Sequence, residues 1–359
     1  MVKNILFALL LTVALFGCAD DDPRETTPPP TAEGRIYLDQ NGITVKCNDA
    51  AQVGFQGEIN GVTYTVVDRP TLWRMLEKGE DVTTVCTSKI TNMSSFFIGN
   101  PNTAPFNQNV RSWDVSNVTN MRYMFATSNF NHDISIWDVS NVTDMSNMFG
   151  QTPFNHDISS WDVSNVTDMS GMFFGTPFNH DIGSWDVSTV QFMGSMFESC
   201  EFNQDISSWD VSNVTNMGEM FNGSDFNHEI SSWDVSNVRN MAGMFSNSQF
   251  NHDISSWDVS KVTDMDTMFW RSAYNQDISS WDVSNVRNMY RMFEDSQFNH
   301  DISSWDVSNV EDMGRMFTSS EFNHDLSNWA VDNVTDCSGF SDDTPQWTLP
   351  KPNFTNCIP

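Results

Sequence analysis

Apolar side chains return along most of this chain at a fixed interval of 24 residues. Trp stands at 113, 137, 161, 185, 209, 233, 257, 281, 305 and 329, with no insertion between any two. A constant period of this size marks an array of stacked repeats, each too small to bury its own apolar face. One unit runs Phe154-Asn-His-Asp-Ile158-Ser-Ser-Trp161-Asp-Val163-Ser-Asn-Val166-Thr-Asp-Met169-Ser-Gly-Met172-Phe173, followed by four residues that vary. Its eight apolar positions are Phe154, Ile158, Trp161, Val163, Val166, Met169, Met172 and Phe173. Each such side chain gains roughly 1.5–3 kcal/mol on full burial, which a single coil cannot supply and a stack can. Trp161 and Val163 alternate with Ser160, Asp162 and Ser164, a pattern that predicts a short strand. Val166, Met169 and Met172-Phe173 recur at three to four residues and predict a short helical or 3-10 turn facing the same core. The spacing from Ile158 to Trp161 breaks alternation and predicts a bend. Strands stacked in this way would repeat at about 4.7–4.9 Å.

The flanks follow other patterns. Residues 35–68 alternate and carry the turn signals Asn41-Gly42 and Asn60-Gly61, which predict β-hairpins. Pro70 to Lys78 reads as a short helix with Pro in its first turn. Val85, Ile90, Met93 and Phe97 echo half a repeat, and Trp347 and Phe354 resemble a lid at the far end. The expected organisation is a leader over 1–17, a tether over 18–34, an N-terminal cap over 35–105, a solenoid of ten 24-residue coils over 106–340 and a C-terminal cap over 341–359.

The first residues change the picture from soluble repeat to anchored one. Lys3 precedes the apolar stretch Ile5–Phe16, which is too short for a permanent span and has the layout of an export signal. The stretch ends in Leu15-Phe16-Gly17-Cys18, which resembles a bacterial lipobox with Cys18 as the acylated residue; an ordinary secretory signal with an incidental Cys is the plainer alternative. Asp20, Asp21 and Asp22 resemble the surface-export signals of Bacteroidetes-type lipoproteins. Thr26-Thr27-Pro28-Pro29-Pro30-Thr31 lacks apolar residues and is stiffened by proline, as a stand-off tether would be. Export implies an oxidising compartment. Beyond Cys18 the chain has Cys47, Cys86, Cys200, Cys337 and Cys357. The economical pairing is Cys47–Cys86 and Cys337–Cys357, one staple at each end, with Cys200 free. No spacing here is that of a metal site.

The units Ile158-x-x-Trp161-x-Val163-Ser-Asn-Val166-Thr-x-Met169-x-x-Met172-Phe173 are similar to BspA-like leucine-rich repeats. More closely, they resemble the domain-of-unknown-function repeat first noted in Mycoplasma and common in marine Bacteroidetes lipoproteins. The resemblance covers about Cys86 to Phe340. It implies a leucine-rich-repeat-like solenoid on the bacterial outer membrane or cell surface, used for interaction or adhesion, with no catalysis. Departures are Tyr274 for Phe, Thr189 and Lys261 for Asn, Ile136 for Ser, and Ala330 and Cys337 in the last unit.

Candidate chemistry is sparse. The chain carries a formal charge of -30, which argues against nucleic acid and anionic lipid as partners. All seven His fall in one column, where other units place Gln108, Gln204 and Gln276. A general base must be unique and placed beside a nucleophile, so this column reads as a polar ladder. The Met columns read as core. Asn-Val-Thr triplets match a glycosylation sequon, yet in a bacterial chain the Asn reads as a turn ladder. Asp114, Asp138, Asp162, Asp186, Asp210, Asp234, Asp258, Asp282 and Asp306 form an acidic column whose repulsion, roughly 1 kcal/mol per neighbouring pair, needs compensation. Either Ser and Asn hydrogen bonds supply it or a row of bound Ca²⁺ does. Among the variable positions, Trp270 and Arg271 beside Tyr290 and Arg291 have the residue types that anchor interfaces, against simple drift at tolerant sites. The expectation is a lipid-anchored adhesion scaffold for an extracellular protein, with a glycan-binding lipoprotein as the alternative and an enzyme disfavoured.

Overall fold

The computed structural model describes residues 33–97 and 106–359. The expected leader over 1–17, the lipidation residue Cys18 and nearly all of the tether lie outside the described residues. Gly34–Pro359 forms one compact unit. Among the described residues no helix is long and apolar enough to cross a membrane.

The N-terminal cap follows its sequence signals. Strands β1 (Ile36–Leu38) and β2 (Val45–Cys47) pair antiparallel, as do β3 (Gln56–Ile59) and β4 (Val62–Val66). The β3–β4 link is Asn60-Gly61, with φ of +50 and +81, the left-handed pair that a tight two-residue hairpin requires. Helix α1 (Arg69–Glu77) starts where Asp68 accepts the Thr71 N–H at 2.9 Å and Pro sits in the first turn. It buries Leu72 and Leu76. β5 (Val85–Cys86) then pairs parallel with β4 and leads into the stack.

Each later coil repeats one backbone plan. The predicted bend is a turn, with Trp161 N–H bonded to Ile158 O at 3.1 Å. The predicted strand at Trp161–Val163 is not formed. Trp161 and Val163 are buried and Asp162 is exposed, so the alternation is real. The backbone there is spent on turns: Asp162 Oδ1 accepts from Ser164, and Val166 N–H returns to Val163 O at 2.9 Å. The ladder between coils lies further along, through parallel bridges Asn120–Asp144–Asp168–Phe192–Asn216 and on to Asp336. From Met169 onward every second N–H, at 169, 171, 173 and 175, donates to the next coil at 2.8–3.0 Å.

The predicted helical turn is also replaced. Met172 N–H bonds Met169 O and Thr176 N–H bonds Phe173 O, both over three residues. The third residue of each turn, Gly171 and Gly175, has φ of +61 and +64, which a right-handed helix does not admit. Other coils put Arg, Thr, Asn, Ser or Glu at these left-handed positions, for instance Thr267 and Arg291. Their N–H groups stay in the inter-coil ladder, which offsets the strain.

One hydrophobic cluster runs from Val67 to Trp347, and a smaller one lies under the hairpins with Ile36, Val45, Cys47, Ala51, Val66 and Cys86. Met169, Met172, Phe154 and Phe173 are fully buried, so the Met columns are core. Phe149 stacks on Phe154 at 4.0 Å and on Phe173 of the next coil at 5.9 Å, forming a double aromatic column. From Trp161 to Trp329 each column Trp donates its indole N–H to a carbonyl of the preceding coil, as in Trp161 to Ile134 O at 3.3 Å, whereas the buried indole N–H of Trp137 has no partner among the described residues. The four residues after Phe173 are not all free to vary. The third is always Ser, Thr or Cys and is buried, as in Thr176, Cys200 and Ser248. The hydroxyls of Thr152, Thr176, Ser248 and Ser296 return to the Phe carbonyl of their own coil, at 2.8 Å for Thr176.

Of the two expected disulfides, Cys337–Cys357 is present. Cys47 and Cys86 are neighbouring buried thiols and Cys200 is a third. Ser88 ties the first pair, accepting the Cys47 N–H at 3.1 Å and lying 3.4 Å from Cys86 Sγ. Burial pushes the Cys86 thiol up to about 12.

Candidate binding surface

The acidic column is held by its own coil. All nine members accept the N–H of the Ser two residues on, as Asp162 does from Ser164 at 3.1 Å and Asp306 from Ser308 at 3.0 Å. Several also accept the Ser hydroxyl, at 2.6 Å for Asp138, Asp162 and Asp186. These hydrogen bonds hold the Asp162, Asp186, Asp234, Asp258 and Asp306 carboxyls below their usual range, and the neighbouring Asp opposes them only weakly. Asp114 differs: it is buried beneath the cap and also accepts from Ser88 at 2.5 Å. Among the described residues no group of three or more His, Cys, Asp or Glu is arranged to hold a metal ion.

The His column is a ladder of the same kind. Nε2 of His132, His156, His180, His228, His252, His300 and His324 meets an Asn carbonyl of the preceding coil at 3.0–3.2 Å. Gln204 and Gln276 donate to the equivalent carbonyl. The Asn of the Asn-Val-Thr triplet also bonds backward, as Asn165 does to Ser140 O at 2.8 Å.

The four residues expected to anchor a partner are engaged internally. Arg271 lies over the Trp270 ring at 4.6 Å and pairs with Asp295 at 3.1 Å. Arg291 lies over the Tyr290 ring at 4.9 Å, with Nε 3.1 Å from Glu294 Oε2 at an angle too poor for a hydrogen bond. Trp270, Tyr290 and Arg291 are half-buried. The cations that would meet a partner are already paired.

A groove of about 400 Å³ lies elsewhere, where successive coils carry Ser170, Gly194, Gly218 and Ala242 in one column. Asn216, Asn240 and Glu219 flank it. The small residues keep this column open: a Cβ on Gly218 would lie 2.9 Å from Asn240 Nδ2, whose amide would have to shift. Asp266 and Tyr290 continue the column beyond the groove. Asp266 is crowded by burial and by Asp264, which push its carboxyl up to about 6. A second hollow, of about 350 Å³, is lined by Asp133, His156 and Asp157. There Asp133 pairs with Arg111 at 2.8 Å, and His156 and Asp157 are bonded as above.

Sequence reasoning missed Phe192. It belongs to the bridge column, where Asn120, Asp144, Asp168, Asn216, Asn240, Asp264, Asn288, Asp312 and Asp336 each accept the N–H of the residue two further on. Phe192 forgoes that bond and is 40% exposed. The signal was in the sequence, one aromatic in a column otherwise Asn or Asp, but that column was not compared across units.

Stacked coils joined by a ladder of identical bonds define a repeat protein. The family description "Mycoplasma protein of unknown function, DUF285" matches residues 71–177, 150–257, 200–297 and 247–348. These overlapping stretches span most of the chain, which belongs to this family. No curated protein matches it.

Proposed function

We propose that the chain is a lipid-anchored binding scaffold on a bacterial outer surface, a BspA-like, leucine-rich-repeat-like solenoid that holds an extracellular partner for adhesion and performs no reaction. Cys18 carries the anchor, and the Pro-rich segment behind it sets the stack away from the membrane. The observation that carries the reading is the commitment of every His and every ladder Asp to repeated structural bonds, which leaves shape and surface as the variable properties. A protein partner at Trp270, Arg271, Tyr290 and Arg291 would have to break ion pairs already made. The open polar groove favours the glycan branch of the same reading. In cells that display the chain, Cys18→Ala should abolish acyl labelling and release the protein, and adhesion to a polysaccharide-coated surface should fall with it. Unchanged adhesion after release, or in cells lacking the chain, would sink the scaffold reading.

A further inference from the structure

Phe192 stands out because it breaks a rule that its column otherwise keeps. An Asn or Asp there would accept the Gly194 N–H, as Asn216 accepts the Gly218 N–H at 2.9 Å. Loss of such a local cap leaves a backbone donor without its partner and weakens the turn. Exposing an aromatic ring gains nothing for the fold. A local rule broken without structural return is the mark of a functional position.

Its place gives the function. Phe192 bridges Asp168 on one side and Asn216 on the other, and the residues two further on in these coils, Ser170, Gly194 and Gly218, line the groove. Phe192 therefore stands one coil before Asn216 in the column whose Asn216 and Asn240 line the groove, just beyond the lining itself. Asn216 and Asn240 spend Oδ1 on their own backbone, and neither Nδ2 has a hydrogen-bond partner among the described residues. Glu219 accepts the Ser195 hydroxyl at 3.1 Å through Oε2, leaving further acceptor capacity at the groove.

The carbonyls beneath are taken, and the one N–H of this column left open there is that of Gly194, above which Phe192 supplies no acceptor. Gly194 O takes the Gly171 N–H, Gly218 O takes the Ser195 N–H, and Ala242 O takes the Glu219 N–H. An extended peptide binds by pairing with a row of free backbone donors and acceptors, and a single open N–H is no such row. What remains is a π-face, two amide donors one coil apart and a carboxylate. Sugar rings ask for this set: C–H faces stack on the ring and hydroxyls both donate and accept. Asn216 and Asn240 are equivalent groups one coil apart, about 4.8 Å, close to the length of a pyranose along its chain. The charge of -30 disfavours an acidic polysaccharide.

We propose that the groove over Ser170, Gly194, Gly218 and Ala242 binds an extended neutral glycan chain, with Phe192 stacked on a sugar ring and Asn216, Asn240 and Glu219 bonding its hydroxyls. This deepens the scaffold reading by naming its ligand class. The test is calorimetric titration of the full chain with cello-, laminari-, manno- and xylohexaose, with hexagalacturonate and a Ser/Asn-rich decapeptide as controls. At least one neutral hexamer should bind. Phe192→Asn restores the residue type of the neighbouring coils, so it should fold normally and weaken binding at least tenfold. Ala242→Gln fills the groove from a residue that already has a Cβ and should do the same. No binding by any neutral hexamer at about 10 mM, equal binding by the two folded variants, or preference for hexagalacturonate or the peptide would overturn the proposal. The scaffold reading would then still stand or fall on the adhesion of cells with and without the chain.

Discussion

Arg315 holds Glu294 with two guanidinium nitrogens, at 2.7 and 3.1 Å, from the following coil. Glu294 is 5% exposed and has Arg291 on its other side, so one buried carboxylate joins two arginines. Removing one partner strands a buried charge, which costs several kcal/mol in a dry interior. Arg315 is 43% exposed and Arg291 remains, so the cost is smaller here. Arg315→Ala should lower stability by about 1–2 kcal/mol, and a double-mutant cycle with Glu294→Gln should show coupling of the same sign. Additive losses would mean that the pair is decorative.

Asp266 gives the protein an inverted acid response near neutrality. Its carboxyl is pushed up to about 6 by burial and by Asp264, against 3.8 in its ordinary state. Between these values the folded chain binds the extra proton, so stability rises as pH falls from 7 toward 4. The ladder carboxyls are lowered, so their contribution is complete above about 4 and is lost as pH falls through their folded values. The most stable pH should therefore lie near 4–5. Asp266→Ser, the residue at the same place in Ser170 and Ser338, should raise stability at pH 7 by about 1 kcal/mol after solvent screening and flatten the rise. Thermal unfolding at pH 7 and 4.5 reads both effects.

Tyr274 occupies a Phe column, fully buried, and its hydroxyl has no partner among the described residues. An unsatisfied buried hydroxyl costs about 1–3 kcal/mol, while the ring still stacks on Phe269 at 4.2 Å. Tyr274→Phe should raise the urea midpoint by the equivalent of about 1 kcal/mol. A lower midpoint would reveal a partner for the hydroxyl.

The staple at the C-terminal end closes a separation of 20 residues. Cys337→Ser should cost about 2–4 kcal/mol and fray the last coil first. Peptide mapping without reductant should find Cys337–Cys357 bonded and Cys47, Cys86 and Cys200 alkylated only after unfolding. A Cys47–Cys86 bridge in that map would reinstate the second staple.

The Asp column carries its own test. Oδ1 of each member is occupied by Ser, so Ca²⁺ and Mg²⁺ at equal concentration should shift thermal unfolding equally, through screening alone. A larger Ca²⁺ shift, lost in a variant with Asp186, Asp210 and Asp234 changed to Asn, would show a cation ladder instead.

The repeat, its core columns and the bend at Ser159-Ser160 were legible because side-chain burial follows period directly. The position of the inter-coil ladder was not. Alternation at Trp161–Val163 records which side chains face the core, whereas ladder bonds follow backbone direction, set by left-handed residues such as Thr267 and Arg291 that carry no sequence signature. Trp270, Arg271, Tyr290 and Arg291 were singled out by residue type, and their ion pairs with Glu294 and Asp295 emerged only in three dimensions. The Cys337–Cys357 pairing followed from position, while the environment of Cys47 and Cys86 around Ser88 had no counterpart in spacing.

The inter-coil bonds join equivalent positions of adjacent units, Met169 to Phe192 O and Met193 to Asn216 O. A unit excised or duplicated therefore leaves each remaining donor facing an acceptor of the same kind. Because the units share one length and one pattern of core residues, a change in their number lengthens or shortens the array without disturbing the bonds between the coils that remain. The length of the array becomes a matter of copy number, with each added coil extending it by about 4.8 Å, and selection can tune that length by counting units rather than altering any one of them.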